Sequence, residues 1–370
     1  MRVRGVALIL AALAPACTDI PIGDGPRKAV IRRVATEVVL PAHAELVART
    51  QELRDATAAL IAAPDPARLA AAQQAWRAAR GPWMESLAFR VGPVKDDFYQ
   101  ARLDQWPVDP ARIAAEINGS AELTPDYIGG LGANKIGFHA AEVLLFDAAA
   151  GDPAVLAALG DGPAAARRRA YLAAVTELLA RDAAALYAAW DPARGGFAGR
   201  IVDIGGDGPF ATVKEASDAL VNESIFLAEL VVDTKLGKPL GKPSGGDPVV
   251  DLVQSAPSDG GIDDMLGNVR GLRAVYLGSR GPQGAADAAG GLGTLVAATS
   301  PAIDARVRAE LDAAEAALSA VPRPFAGAVA SRAAAVEAAW RATHELRLTL
   351  ATEMVSALGA TLSFNDNDGD

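Results

Sequence analysis

The chain has one cysteine, Cys17, in 370 residues. A single thiol forms no internal disulfide and builds no thiolate metal site, so any metal here is held by nitrogen and oxygen. There are three histidines, His43, His139 and His344. Neither His-Glu-x-x-His nor His-x-x-Glu-His occurs among them, which excludes the standard zinc-peptidase helices. No Gly-rich loop ends in Lys-Ser/Thr and no Gly-x-Ser-x-Gly elbow is present, so P-loop and α/β-hydrolase chemistry are excluded as well. Positive charge is short: 35 Lys and Arg face 45 Asp and Glu, a formal net charge of −10. That balance lacks the basic stripe of a nucleic-acid binder. Aromatics make up 5% of residues, and β-branched runs are scarce in an Ala-rich chain. Helices are therefore favoured over sheets, and the expected class is all-α.

The N-terminus reads as an export signal. Arg2 and Arg4 form a positive start, and residues 6–13 a short apolar run that cannot span a bilayer. Leu13-Ala14-Pro15-Ala16-Cys17 then resembles a bacterial lipoprotein signal. Residues 1–16 would be removed and Cys17 lipidated, tying the protein to a membrane in the bacterial envelope, periplasm-facing or at the surface. Residues 17–28, rich in Pro, Gly and Asp, read as a tether.

Helical patterns follow over 29–62, with Pro41 dividing the segment, and over 67–89 after the breaker Pro64-Asp65-Pro66. Further helices are expected around His139, over 162–191 and over 214–236. The Pro/Gly-rich stretch 237–247 reads as a linker, separating an N-terminal bundle (29–236) from a C-terminal one (248–370). The second half echoes the first. Glu52-Leu53, Leu60, Pro64 and Pro66 recur with identical spacing as Glu310-Leu311, Leu318, Pro322 and Pro324. After a short insertion, Ala75-Trp76-Arg77-Ala78 recurs as Ala339-Trp340-Arg341-Ala342. This pattern predicts two related helical bundles from a duplicated helix–Pro-x-Pro–helix unit.

Chemistry concentrates at Gly137-Phe138-His139-Ala140-Ala141-Glu142, inside an apolar helical run. Positions i and i+3 share a helix face, so the imidazole and the carboxylate converge on one point. Two polar groups in an apolar helix are costly unless paired or liganded. They read as two metal ligands, as an acid/base pair, or as a structural hydrogen bond. Further ligands would be carboxylates, water, His43 or His344. An oxygen-rich set with one imidazole suits iron, manganese, calcium or zinc.

Around this pair, Arg80 reads as a clamp on a carboxylate, with stem packing on Trp76 as the alternative. Asp97, Asp104 and Asp109 flank Trp106-Pro107 and read as pocket-lining or solvated carboxylates. Asp263, Asp264 and Asn268 read as a helix cap in preference to a site. Glu223 reads as a helix-surface group or an inter-helix pair. The acidic tail 364–370 stops short of a complete EF-hand loop.

In combination these residues resemble the imelysin family of exported bacterial proteins, which includes imelysin-like lipoproteins. The key match is Gly137-Phe138-His139-Ala140-Ala141-Glu142. It is joined by Ala75-Trp76-Arg77-Ala78-Ala79-Arg80 with Gly92-Pro93-Val94, and by Leu103-Asp104-Gln105-Trp106-Pro107-Val108-Asp109. Lys238-Pro239-Leu240-Gly241, the segment from Asp263-Asp264 to Tyr276-Leu277-Gly278, and Asp368-Gly369-Asp370 complete it. The resemblance implies two helical bundle-like domains with the His-x-x-Glu site near their interface, and a link to iron. One departure stands out. Where the family commonly reads Ser-Glu-Ala-Phe, this chain has Ser86-Leu87-Ala88-Phe89. If that glutamate is a ligand in relatives, Glu85 would have to replace it.

The expectation is therefore an envelope lipoprotein that binds a divalent metal, iron or zinc, or a small metal-bearing ligand, at His139 and Glu142. Arg80, Glu85 and Asp104 are ligand-binding candidates, and an envelope transport protein is the expected partner. Two alternatives stand beside it. One is a metallopeptidase with Glu142 as ligand or general base. The other is a structural envelope protein with a metal-free His/Glu pair.

Overall fold

The structure is a computed structural model that describes residues 22–194, 196–204, 208–281 and 290–363. Cys17, the export signal and the acidic tail 364–370 lie outside the described residues. Among the described residues every regular element is helical, and no helix there is long and apolar enough to cross a membrane.

Helix α1 (Asp24–Arg33) runs through a π-helical stretch (Val34–Val39) into α2 (Leu40–Ala62) without a break. Pro41 was expected to divide this segment and does not. Proline lacks an N–H and crowds the preceding turn, and the wide π turn just before it absorbs both. The tether expected over 17–28 also ends early, because α1 begins at Asp24. Arg27 is buried and pins α1 to distant parts of the chain, donating to Ser217 Oγ at 3.0 Å and to the Leu358 carbonyl at 2.5 Å.

The Pro64-Asp65-Pro66 turn reverses the chain into α3 (Pro66–Ser86). The Asp65 side chain caps this helix at the Arg68 amide, 2.8 Å away. Short helices follow: α4 (Pro93–Asp96), α5 (Tyr99–Asp104), α6 (Pro110–Asn118) and α7 (Pro125–Gly129). Then come α8 (Gly137–Leu145), α9 (Gly151–Leu159) and the long α10 (Pro163–Trp190), which packs on both α2 and α8. After α11 (Phe197–Arg200), α12 (Val213–Glu229) continues into a π-helical end (Leu230–Gly237). Residues 238–245 form a run of turns, with Leu240 buried and backbone bonds such as Lys242 N to Gly237 O at 2.9 Å.

In the second half α13 (Gly261–Leu277) lies against α3 and α15. It is followed by α14 (Leu292–Thr299), α15 (Pro301–Ser319), α16 (Phe325–Ala330), α17 (Ala334–Thr349) and, after another π-helical stretch (Leu350–Met354), α18 (Val355–Leu358). The two segments that echo each other in sequence form the α2/α3 and α15/α17 pairs, with α16 inside the second connection. One continuous apolar core runs from Val30 to Leu358.

Two contacts set the position of the site. Gly267 and Gly271, one turn apart on α13, face α3. A Cβ at Gly267 would lie 2.7 Å from Met84 Cβ, and one at Gly271 would overlap the Glu85 backbone. The missing side chains let α13 approach α3 closely enough for their polar residues to meet. Gly137 does the same for α8. Its φ is +78°, and a Cβ there would lie 2.5 Å from the Leu103 carbonyl oxygen. The start of α8 is thereby pressed onto the end of α5.

Candidate functional site

These approaches bring five helical elements and one loop to a buried polar centre. From α3 comes Arg80, from the end of α5 Asp104, from α8 His139 and Glu142, and from α13 Asp264 and Asn268. The loop before α13 adds Gln254, Ser255 and Ser258, and the π-helical end of α12 adds Lys235. Arg80, Lys235, His139, Glu142 and Asp264 are all buried.

Arg80 grips Asp264 with two bonds, Nε to Oδ1 at 3.1 Å and Nη2 to Oδ2 at 2.5 Å, while its Nη1 pairs with Asp104. Its guanidinium also lies 5.5 Å from the Trp76 ring and 5.3 Å from the Phe138 ring. Arg80 is thus placed as the carboxylate clamp of the first reading; it is buried, and it is the guanidinium that lies near Trp76. Burial works against the arginine's charge, but Asp104 and Asp264 outweigh it and raise its pKa above the ordinary value. Burial likewise pushes the Asp264 carboxyl up, yet Arg80, Lys235 and the Ser255 hydroxyl (2.8 Å) together hold it below the usual carboxylate range.

His139 and Glu142 meet as the i, i+3 spacing requires, Nδ1 to Oε2 at 2.8 Å. The other Glu142 oxygen accepts from the Ser258 hydroxyl at 2.6 Å and from the Ser258 amide at 3.1 Å. A carboxylate with both oxygens so engaged accepts a hydrogen bond from Nδ1–H and fixes the ring. The other ring nitrogen, Nε2, lies 3.3 Å from Asp104 Oδ1 and 3.1 Å from the Gln254 amide. Backbone anchors hold the helix itself: Trp76 Nε1 donates to the Phe138 carbonyl at 2.9 Å, and Tyr171 donates to the Lys135 carbonyl at 2.8 Å.

Lys235 donates to Asn268 Oδ1 at 2.8 Å and lies 3.5 Å from Met84 Sδ. It forms no ion pair among the described residues. Burial pushes its pKa down to about 8, against the pull of Asp264 and Asp104 and with the push of Arg80. Asp104, Lys235 and Gln254 line an open cleft of about 630 Å³ together with Leu87, Arg90, Trp106 and Phe226. Arg90 stacks 3.8 Å over Phe226 and pairs with Glu223 at 3.0 Å.

The structure thus joins Arg80, Asp104, His139 and Glu142 and leaves Glu85 apart. Glu85 pairs outward with Arg280 at 2.7 Å and Arg270 at 3.4 Å, because it sits on the opposite side of α3 from Arg80 and Met84. Leu87 lines the cleft in its place. His43 sits in the apolar core, 5.8 Å from the Phe89 ring and 5.7 Å from Trp190, and His344 stacks on Trp340. Neither joins His139. Asp264 and Asn268 face the centre and do not cap α13, whereas Asp263 pairs with Arg323 at 2.6 Å. Asp109 caps α6 at the Arg112 amide, 3.0 Å away, and Glu223 is a buried inter-helix partner.

Gln254, Ser255, Ser258 and Lys235 were missed in the sequence. Only Lys235 carried a signal, a lysine in the mostly apolar stretch 230–236. Among the described residues no cluster of three or more His, Cys, Asp or Glu has metal-ligand geometry. The donors that converge on one point are the Nε2 of His139, a carboxylate oxygen of Asp104 and, with its amide turned, the oxygen of Gln254. This is a nitrogen/oxygen set that fits a first-row divalent metal but fills only part of its coordination sphere.

Residues 39–351 match the family model described as Imelysin (Peptidase_M75). Iron-regulated protein A of Synechococcus elongatus is 28% identical over 304 residues, covering 81% of this chain and 78% of that protein. A solved structure from Parabacteroides distasonis, provisionally described as an iron-regulated protein A precursor, superposes with a TM-score of 0.82 at 24% identity, covering 93% of this chain and 98% of that one. An imelysin-like protein from Psychrobacter arcticum superposes with a TM-score of 0.74 at 16% identity, with the same coverage of 93% and 98%. The two structures share the all-α fold.

Proposed function

Because this chain belongs to the imelysin family, we propose that it binds a metal as cargo, iron first and zinc as the alternative, at the Nε2 face of His139, in metal uptake or homeostasis. The observation that carries this reading is the division of labour in the pair. Glu142 holds Nδ1, and Nε2 is turned toward a carboxylate and an amide beside an open cleft. The relative named iron-regulated protein A supports iron over other metals. In this reading Cys17 carries the lipid that anchors the protein to an envelope membrane, and an envelope transporter receives the metal.

The peptidase alternative needs Glu142 as a free general base or ligand. Both of its oxygens are engaged by His139 and Ser258, so binding without catalysis is the reading adopted.

The test is iron and zinc retention by the full chain in detergent, with iron offered free and as its citrate complex, beside His139→Ala and Glu142→Ala. Expected is stoichiometric metal in the wild type, lost in folded His139→Ala and weakened in folded Glu142→Ala. A wild-type chain that retains neither metal in any form sinks the reading.

A further inference from the structure

Resting on the metal reading above, we infer that the cargo is a metal held by a small polycarboxylate, with His139 and Asp104 reaching the metal and Lys235 receiving a carboxylate of the chelator. Three features lead there.

The first is the shortage of protein donors. One imidazole nitrogen, one Asp104 oxygen already shared with Arg80, and one amide leave an iron ion with open positions. Leu87 in the cleft wall adds none. A chelator brings its own oxygens.

The second is Lys235. It is 5% exposed and lines the cleft. Its partners are neutral, Asn268 and Met84, and the nearby carboxylates Asp104 and Asp264 are both committed to Arg80. Asp264 and Asp104 attract Lys235 without a direct ion pair, and a buried cation lacking a directly paired counter-ion is costly. An incoming carboxylate at the cleft floor supplies that counter-ion.

The third is the cleft. Its volume of about 630 Å³ suits a small organic molecule and far exceeds the need of an ion. Its chemistry is polar from side to side. Asp104 brings negative charge to the lining, with His139 Nε2 behind it at 3.3 Å, and Lys235 and Arg90 bring positive charge. A chelate has the matching polarity, cationic metal at one end and anionic oxygens at the other.

Calorimetric titration of the full chain in detergent compares iron(III) citrate, citrate alone, and iron(II) without chelator under nitrogen. Wild type is expected to bind the chelate about tenfold or more tighter than either component. Lys235→Met and Lys235→Gln, shown folded by circular dichroism, are expected to lose on the order of 30-fold in chelate affinity. Free iron(II) binding as tightly as the chelate overturns the inference and leaves the metal reading standing, and this comparison needs no variant. Chelate affinity unchanged in the folded Lys235 variants overturns it too. No iron bound in any form removes the metal reading and this inference with it.

Discussion

The Ser258 hydroxyl lies 2.6 Å from one oxygen of Glu142, whose other oxygen lies 2.8 Å from Nδ1 of His139. A loop 116 residues downstream thus fixes the imidazole through the glutamate. Residues that orient a metal-binding histidine from behind are worth about 10–100-fold in affinity. Glu142→Gln and Ser258→Ala are expected to weaken metal binding by about that factor, while His139→Ala removes it. Metal titrations of the three variants provide the check. Equal, complete loss in Glu142→Gln and His139→Ala would put Glu142 on the metal itself.

Arg80 is the sole cation paired with both Asp104 and Asp264 among the described residues. Replacing it by Met keeps most of the stem and strands two buried carboxylates. Removing one member of a buried ion pair costs about 3–5 kcal/mol, so Arg80→Met is expected to lower the urea midpoint by a corresponding amount. A loss below about 1 kcal/mol would show that another group, with Lys235 the nearest in character, takes over as counter-ion.

Gly137 opens the His-x-x-Glu helix for a backbone reason. With φ at +78° and the Leu103 carbonyl 2.5 Å from where a Cβ would stand, Gly137→Ala combines strain with overlap. Strain of this kind costs about 1–3 kcal/mol, and the overlap pushes α8 away from α5. Both stability and metal affinity are expected to fall. A variant with wild-type melting temperature and affinity would show that the α5–α8 junction yields easily.

Much of this centre could be read from local spacing. The His139–Glu142 contact follows from helical periodicity, and a carboxylate clamp was one of two readings the sequence offered for Arg80. The all-α class followed from alanine content and the scarcity of aromatic and β-branched runs. What stayed hidden depends on long-range approach. Nothing local says that Ser258 reaches Glu142 or that Asp264 points at Arg80, because these contacts depend on Gly267 and Gly271 letting α13 settle against α3. Capping was a sound local reading of Asp264, and tertiary packing overrode it. Glu85 was the reverse case, chemically apt and on the wrong side of its helix.

Leu87 gives the cleft an apolar wall. A carboxylate there would add a donor near Asp104 and Gln254. Leu87→Glu is expected to raise affinity for free iron(II) about tenfold, the size of one charge-assisted contact, and to narrow the preference for a chelate. Titration with and without citrate reads both effects. Unchanged free-ion affinity in the folded variant would place the Leu87 position out of reach of the metal.

His43 links the fold to pH. Its ring is wholly buried between Phe89 and Trp190, and neither nitrogen has a hydrogen-bond partner. Burial first, and the charge of Arg280 second, push its pKa from 6.5 down to about 3. The unfolded chain therefore takes up a proton between these values that the folded chain refuses. The contribution is present above pH 6.5 and is lost as pH falls, by about 1.4 kcal/mol per pH unit, or about 3 kcal/mol at roughly pH 4.5. His43→Phe keeps an aromatic ring in the same cage and removes the titrating group and two unpartnered nitrogens. The variant is expected to be at least as stable as wild type near pH 7.5, and its stability is expected to fall less on acidification. Urea unfolding at both pH values measures the difference directly. Parallel losses in wild type and variant would assign the acid sensitivity to groups other than His43, with Asp264, whose carboxyl Arg80 and Lys235 help hold below the usual range, the first to examine.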